Sequence, residues 1–236
     1  MSALPDRPTR GGGAGRRSGG GARPPVVRDA ERSKARLLQA AHAEFAAHGL
    51  SGARVSNIVA AAGVNRQLLY HYFDDKERLY EQVLLRAYET LREGEQALHL
   101  DAIPPLDAIR KLIEFNYDFL AAHPEFVRLL NDENLHKARH LEGSGPLKAR
   151  HAGLSDMVSD VLRRGLEAGV FKRAMDPVDF YVTLASLCFF PLSNCHTLAA
   201  AFGRALDKPA EIARRRALVV QILLVFLMTP EGEAQV

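Results

Sequence analysis

Apolar residues recur three or four positions apart in successive stretches from about residue 29 to residue 228, which is the spacing that places side chains on one face of an α-helix. The first predicted helix runs from about Asp29 to His48 and ends at Gly49. The stretch from Val55 to Ala62 gives a second, and Asp75, a good N-cap residue, opens a fourth. The short segment before Asp75 supplies the third. The pattern therefore predicts an all-α protein.

The C-terminal two thirds of the chain also reads as helices, separated by prolines and glycines. The predicted segments are one around Leu106–Leu120, one from Pro124 to about His140, one from Leu147 to Gly169, one that Asp176-Pro177 begins, and a last one from about Pro209 to Met228. Pro191 should kink or break the fourth of these, because proline lacks an N–H and clashes one turn back. The last helix is apolar nearly all round, which suits burial on both sides. Its apolar run is too short for a membrane span, so no membrane partner is predicted.

The unit from Val55 to Phe73 combines two short helices with a glycine turn. Gly63 follows the last periodic residue of the second helix, where a positive φ costs glycine nothing and the chain can turn sharply. The outward side of the third helix carries groups that suit base edges and phosphates, with no acidic residue: Asn65, Arg66, Gln67, Tyr70 and His71. This arrangement is typical of a helix-turn-helix, whose second helix lies in the major groove. The same pattern also occurs in all-α proteins that bind no DNA.

The sequence around this unit resembles the DNA-binding domain of TetR-family transcriptional regulators. The resemblance is carried by Leu69-Tyr70-His71-Tyr72-Phe73, by Asp75-Lys76-Glu77 and by Leu79. It extends from about Ser33 to Val83 and includes Ala-Ala-His-Ala-Glu-Phe-Ala-Ala-His-Gly at 40–49 and Ala-Ala-Gly-Val at 61–64. The resemblance implies an N-terminal three-helix helix-turn-helix domain followed by a helical ligand-binding and dimerisation domain.

On this interpretation the chain has three parts: a disordered Arg/Gly/Pro-rich tail at 1–27, the DNA-binding domain at 28–75, and a regulatory and dimerisation domain at 76–236 that includes the linking helix. The resemblance further implies a sequence-specific transcriptional regulator, more often a repressor than an activator, that binds a palindromic double-stranded DNA operator. Its implied partners are a second copy of the chain, as a homodimer, and a small-molecule effector. In the family the last two long helices pack against their twofold mates as a four-helix bundle.

Seven residues are predicted to contact DNA. We expect base-edge contacts from Asn65, Arg66 and Gln67, and phosphate contacts from Arg54, Tyr70, His71 and Lys76. Arg54 stands where the family usually has a threonine that caps the second helix, and an arginine offers no acceptor to the free N–H groups. The cap can then pass to Ser56 or to water. Lys76, at the first position of the fourth helix, opposes the helix dipole unless an anion such as a DNA phosphate lies nearby.

The basic charge of the chain is concentrated in its tail. Six arginines against Asp6 give residues 1–28 a net charge of +5, so the rest of the chain carries −2 of the total of +3. The tail has almost nothing to bury, and ordering it would cost backbone entropy without return. Its arginines could reach phosphates or a minor groove, or the tail could be solvated without a role. Two cysteines, Cys188 and Cys195, make no disulfide framework and fit a reducing cytoplasm.

Effector-binding residues are predicted from the family and from the mostly apolar character of pockets between helices. The candidates are Asn116, Tyr117, Phe119, Tyr181, Phe189, Phe190, Asn194 and His196. Each of these could equally belong to the hydrophobic core, since aromatic residues at helical spacing usually do.

Two other classes of function stay open. Asp132, His136 and His140 are spaced i, i+4 and i+8 and could hold a metal ion from one helix face, which would suit a metal-dependent enzyme with an appended DNA reader. The motif lacks the glutamate of His-Glu-x-x-His, and no catalytic set stands out, so we predict no enzyme, no cofactor and no metal. A non-specific architectural DNA-binding protein, acting through its arginine-rich tail, is the second alternative.

Overall fold

The computed structural model describes residues 25–142 and 145–230, and over these ranges the chain forms helices and turns with no strand. The helices are α1 Pro25–Gly52, α2 Val55–Ala62, α3 Arg66–Phe73, α4 Lys76–Gln96, α5 Pro105–Ala122, α6 Pro124–Leu135, α7 Gly145–Glu167, α8 Pro177–Ser193, α9 Cys195–Phe202 and α10 Pro209–Met228, with a 3-10 turn at Leu100–Ala102. The predicted all-α fold is confirmed.

Helices α1 to α3 form a compact N-terminal unit. Leu37 and Phe45 of α1, Ile58 of α2 and Leu69 of α3 are all buried in its core. The stop after α2 is the predicted one, since Gly63 adopts the left-handed conformation (φ 62°, ψ 40°) that only glycine reaches without steric cost.

The larger C-terminal part is built around α5, which packs against α4, α7, α8 and α10. Its buried face is continuous, from Ile109 through Leu112 and Ile113 to Tyr117. Helix α4 joins this part to the N-terminal unit, because it packs against both α1 and α7. Helix α6 makes a second connection, since it packs against α1 on one side and α8 on the other.

Helices α1 and α6 differ from their predicted bounds. Helix α1 is broken at Gly49, where it was predicted to end, but one further turn carries it to Gly52. Helix α1 begins at Pro25, so residues 25–27 of the predicted tail are helical, and the rest of that tail lies outside the described residues. Helix α6 ends at Leu135, well before His140. Lys137 and Ala138 have positive φ angles of 59° and 56°, which an α-helix does not accommodate.

The predicted break at Pro191 does not occur, and the bend lies three residues later. Helix α8 continues through Pro191 to Ser193, and α9 then leaves at an angle of 69°. Pro191 sits in the last turn of α8, so its missing N–H removes only one hydrogen bond near the helix end. Among the described helices, none alone has the length and apolar character of a membrane span, and only the bent α8–α9 pair meets that test together.

Candidate functional site: a DNA-reading helix and a cavity joined by α6

The five polar residues predicted to face outward from α3 are exposed. Leu69 and Phe73 hold the helix against α1 and α2 and are fully or almost fully buried. Asn65, Arg66, Gln67, Tyr70 and His71 lie on the exposed side. Between Arg54 and His71 the chain contains no acidic residue, so nothing carried by this segment repels a phosphate backbone.

Asn65 is also the N-cap of α3, a role that the sequence analysis missed. Its side-chain Oδ1 accepts a hydrogen bond of 2.8 Å from the backbone N–H of Leu68, which satisfies one of the free donors at the helix start. The side-chain amide N–H₂ group of Asn65 and the second lone pair of its Oδ1 are then left for a base edge.

Arg66 is held in place by a neighbour on the same face of α3. Its Nη2 and Nε donate to the Tyr70 hydroxyl at 2.9 and 3.3 Å, and its guanidinium lies over the Tyr70 ring, 5.4 Å from the centroid. Residues four apart on a helix are neighbours, so the two side chains form one exposed unit that projects from α3.

The start of α2 is capped by a residue from α1. The carboxylate of Glu44 accepts from the backbone N–H of Arg54 and from Asn57 Nδ2, each at 2.9 Å. Glu44 thereby ties the start of α2 to α1, a contact that the sequence analysis did not predict. The Arg54 side chain makes no capping hydrogen bond and is exposed, so its guanidinium is available to a phosphate.

Lys76 has hydrogen-bond partners within the protein. Its Nζ donates to the backbone oxygens of Leu50 at 2.8 Å and Ala53 at 3.3 Å. These carbonyls lie just after the break in α1 at Gly49. Lys76 thus joins the start of α4 to the segment between α1 and α2, and its phosphate contact stays a prediction.

A cavity of about 330 Å³ lies between α4, α5, α6 and α8. The side chains that line it are Tyr88, Leu91, Arg92, Asn116, Leu120, Phe126, Leu130, Asn134, Tyr181, Val182, Ala185, Ser186 and Phe189. Its volume is at the lower end of the range for ligand pockets. Three of the eight predicted effector residues, Asn116, Tyr181 and Phe189, are among these side chains.

The other five candidates lie elsewhere. Tyr117 is buried in the core, and Phe119 packs against other rings, with its centroid 4.4 Å from that of His123. Phe190 is exposed and borders another cavity, between α8, α9 and α10. Asn194 donates to the Phe190 carbonyl oxygen at 3.1 Å and ends α8, while His196 borders a separate cavity beside α9.

A buried polar cluster at the cavity was missed altogether. Arg92 donates one hydrogen bond to Glu95 and another, of 2.8 Å, to the Tyr181 hydroxyl. Arg92 is 4% and Glu95 1% exposed. Burial raises the pKa of Glu95, with Arg92 opposing that shift, and burial raises the pKa of Tyr181 to about 12, so this phenol is neutral. The sequence contained a signal for this cluster, because Arg92 and Glu95 fall at helical spacing on the same face of α4 as its buried apolar residues.

Helix α6 contacts the cavity and the DNA-reading unit at once. Phe126, Leu130 and Asn134, spaced four apart, line the cavity. On another side of the same helix, Arg128 Nε donates to the Ala46 carbonyl oxygen at 3.0 Å. Asp132 Oδ2 accepts from the backbone N–H of Leu50 and from the Tyr80 hydroxyl, both at 2.9 Å.

Asp132, His136 and His140, weighed above as a metal site, have other contacts in the structure. Across residues 25–142 and 145–230 no group of three or more His, Cys, Asp or Glu side chains is placed to hold a metal ion. Asp132 holds the junction with α1, and the His140 ring lies beyond the end of α6, with its Nδ1 2.7 Å from Glu133 Oε2. The three residues weighed as metal ligands do not share one helix, because α6 ends at Leu135.

Helices α8 and α10 carry exposed apolar side chains. Val178 and Val182 of α8, and Ile222, Val225 and Phe226 of α10, are between about a third and three fifths exposed. Val182 also borders the cavity between α4, α5, α6 and α8. These five residues are called the α8–α10 apolar face below. Large exposed apolar surface on a soluble protein marks an interaction site.

Two family models match this chain over most of its described length. Residues 37–83 match the bacterial regulatory proteins of the tetR family. Residues 105–223 match the tetracyclin repressor-like C-terminal domain.

Curated relatives give the same result. The chain is 34% identical to the HTH-type transcriptional repressor NicS of Pseudomonas putida over 174 residues. The aligned region covers 74% of this chain and 82% of the relative. It is 35% identical to the HTH-type transcriptional repressor SCO4008 of Streptomyces coelicolor over 163 residues, which cover 69% of this chain and 79% of that relative.

Solved structures agree with the fold. The transcriptional regulator SCO4942 of Streptomyces coelicolor superposes with a TM-score of 0.62 at 28% identity, covering 81% of this chain and 96% of that one. The ketosteroid transcriptional regulator KstR2 of Mycobacterium tuberculosis superposes with a TM-score of 0.61 at 22% identity, covering 84% of this chain and 95% of that one. The helix-turn-helix geometry, the two domain matches and these relatives lead to one conclusion: the chain belongs to the TetR family and is a DNA-binding transcriptional regulator, not an enzyme.

Proposed function

We propose that this protein is a homodimeric repressor that binds a palindromic operator through α3 and leaves it when a small molecule occupies the cavity between α4, α5, α6 and α8. The observation that carries the DNA-binding part is the exposed face of α3, which presents donors and acceptors without an acidic residue. Such a repressor acts on chromosomal DNA, which places it in the cytoplasm.

The side chains on this face have separate roles. Arg66 and Gln67, in the first turn of α3, read base edges, assisted by the free amide of Asn65. Arg54, Tyr70 and His71 hold phosphates and set the register on the duplex. Lys76 contributes by fixing α4 to the end of α1, with one ammonium proton left for a phosphate.

The homodimer is supported by the α8–α10 apolar face. Leaving large aliphatic and aromatic side chains in water costs free energy in proportion to their apolar area. A second copy that packs the same two helices against them would bury this surface in a twofold, self-complementary interface. It would also set the distance between two α3 helices, as a palindromic site requires.

Release by an effector follows from the position of α6. A ligand can shift a conformational equilibrium only by binding one state better than the other. Helix α6 lines the cavity with Phe126 and Leu130 and holds α1 with Arg128 and Asp132. An occupied cavity that displaces α6 would therefore move α1, and with it the separation of the two α3 helices.

Selection of bound sequences from a random duplex library at near-physiological salt tests the proposal. We expect a palindrome whose half-sites lie about one helical turn apart. Salt-sensitive binding to every duplex, without enrichment and lost on removal of residues 1–27, would instead support an architectural DNA-binding protein that acts through its tail.

A further inference from the structure

The cavity between α4, α5, α6 and α8 has an asymmetric chemical lining. Of the thirteen described side chains that border it, one carries a formal charge, the cation Arg92, and none is a carboxylate. Four are aromatic: Tyr88, Phe126, Tyr181 and Phe189. The walls therefore favour a ring compound with a negative or electron-rich group at the Arg92 end.

Arg92 has hydrogen-bonding capacity that the described protein does not use. It is 4% exposed, and its Nε has no hydrogen-bond partner among the described residues. A buried donor without an acceptor costs about 1–3 kcal/mol, and more when the group is charged. Native proteins seldom leave such groups unpaired, and an unpaired one beside a cavity points to a ligand.

The second unpaired atom of the cluster belongs to Glu95, the ion-pair partner of Arg92. Glu95 Oε1 also has no described partner, and Glu95 is not among the residues that line the cavity. Glu95 therefore balances the charge of Arg92 from the core side. Because burial raises the pKa of Glu95, this carboxyl can take up a proton when a second carboxylate approaches Arg92.

The hydroxyl of Tyr181 adds a second donor. It accepts from Arg92 Nη2 at 2.8 Å, which leaves its own proton for another acceptor. The Nε–H of Arg92 and the phenol of Tyr181 can thus meet the two oxygens of one carboxylate, and an amine at the same place would face a cation and a donor.

The volume limits the size of the molecule. An apolar cavity of about 150 Å³ is large enough for benzene, and this one measures about 330 Å³. One or two rings fit inside it.

From these observations we infer that the effector is a small carboxylic acid with one or two rings, whose carboxylate binds Arg92 and Tyr181 while its ring lies among the aromatic walls. This inference rests on the proposed function, because it names the chemical class of the molecule that the proposed effector site takes.

Binding of simple probes to the full-length protein tests the chemical class. Benzoate and 2-naphthoate carry the carboxylate, benzamide is a neutral analogue, and benzylamine is a cation of similar size. By isothermal titration calorimetry and thermal shift we expect the two acids to bind at millimolar concentration or below. Benzamide should bind about tenfold more weakly, as expected for the loss of a charged hydrogen bond, and benzylamine should not bind.

Two variants of the polar cluster separate ligand recognition from a structural role. Arg92→Ala alone would leave Glu95 buried without its partner and could unfold the protein. The double variant Arg92→Met with Glu95→Gln removes both charges together and should bind benzoate no better than benzamide. Glu95→Gln alone frees Arg92 and should tighten benzoate binding. Arg86→Met, at an exposed arginine of the same helix, is the matched control and should behave like wild type.

The inference is overturned if neither acid binds, if benzylamine or benzamide binds wild type as well as benzoate does, or if the double variant keeps its preference for acids. Operator affinity, measured in parallel, separates this result from the proposed function. An acid that occupies the cavity without changing operator affinity supports the ligand class and contradicts effector release. Release by a probe of another class supports the proposed function and overturns the inference.

Discussion

At the scale of single residues, the DNA-reading face depends on side chains that are positioned before DNA arrives. Arg66 is tied to the Tyr70 hydroxyl, and Asn65 is fixed by its cap to Leu68. A preorganised side chain loses less conformational entropy on binding than a free one. Arg66 is therefore the residue on which we expect base discrimination to depend most.

Arg66→Ala should reduce the discrimination between the correct and an incorrect base at one position of the operator by about 1–3 kcal/mol. Arg54→Ala is the control. It should weaken binding to all sequences alike and lower the salt slope by about one. Equilibrium binding by fluorescence anisotropy at several salt concentrations measures both effects. If both variants lower specific and random affinity by equal factors, these roles are wrongly assigned.

Lys76 is expected to matter for stability more than for phosphate binding. Lys76→Met keeps most of the side-chain volume and removes the hydrogen bonds to Leu50 and Ala53. Because hydrogen bonds of charged groups contribute about 1.5–3 kcal/mol, we expect urea unfolding to show a loss of that order. Unchanged stability together with a flatter salt slope would contradict this expectation and support phosphate binding as the main role of Lys76.

At the scale of elements, the junction of α1, α4 and α6 is the feature that the sequence could not supply. Local signals placed the ends of several elements correctly, including Gly63 after α2, Asp75 before α4 and both ends of α10. Asp132, by contrast, bonds to Leu50, which is 82 residues away along the chain. Contacts at such separations have no periodicity to reveal them.

The same limit applies to the candidate site. Helical spacing identified the exposed face of α3, because that face depends on which side of a helix a residue occupies. The effector candidates came from the family resemblance and from the apolar character of pockets, and three of the eight line the cavity. Helical spacing could not tell Tyr117 in the core from Tyr181 at the cavity, since both lie on buried faces. Nor could it show that the cavity opens beside α4, where Arg92 lies.

Substitution of Gly49 tests the contact between α1 and α6 directly. Gly49 has φ 64° and ψ 175°, a conformation essentially confined to glycine, and an added Cβ would lie 2.5 Å from Asp132 Oδ1. Gly49→Ala should lower the free energy of unfolding by about 1–3 kcal/mol. Gly153→Ala, in an exposed part of α7 with nothing within 4 Å, is the matched control and should be neutral or stabilise by about 0.5–1 kcal/mol. Equal effects in chemical unfolding would contradict the described junction.

At the scale of the whole molecule, the proposed function requires two copies in a fixed relation. One α3 helix reads only a short half-site, and a palindromic operator is recognised when the dimer spaces two such helices by a helical turn or a multiple of it. The α8–α10 apolar face lies on the C-terminal part of the chain, remote in sequence from α3. Dimerisation and DNA reading can therefore be separated by mutation.

Ile222→Glu places a charge in the α8–α10 apolar face. We expect the dimer dissociation constant, measured by analytical ultracentrifugation, to rise by about tenfold or more, because a buried unpaired carboxylate is costly. Operator affinity should fall with it. Leu135→Glu, at the exposed end of α6, makes the same chemical change outside that face and should leave the dimer intact. Dissociation by both variants, or by neither, would place the interface elsewhere.

The most direct test of the whole account is the affinity of the protein for its selected palindrome and for the same duplex with the centre lengthened by about 5 bp, half a helical turn. A dimer with two rigidly spaced α3 helices should lose most of its specific affinity for the lengthened site, because the second half-site then lies on the opposite side of the duplex. Equal affinity for the two duplexes would contradict a dimeric reader of palindromic DNA.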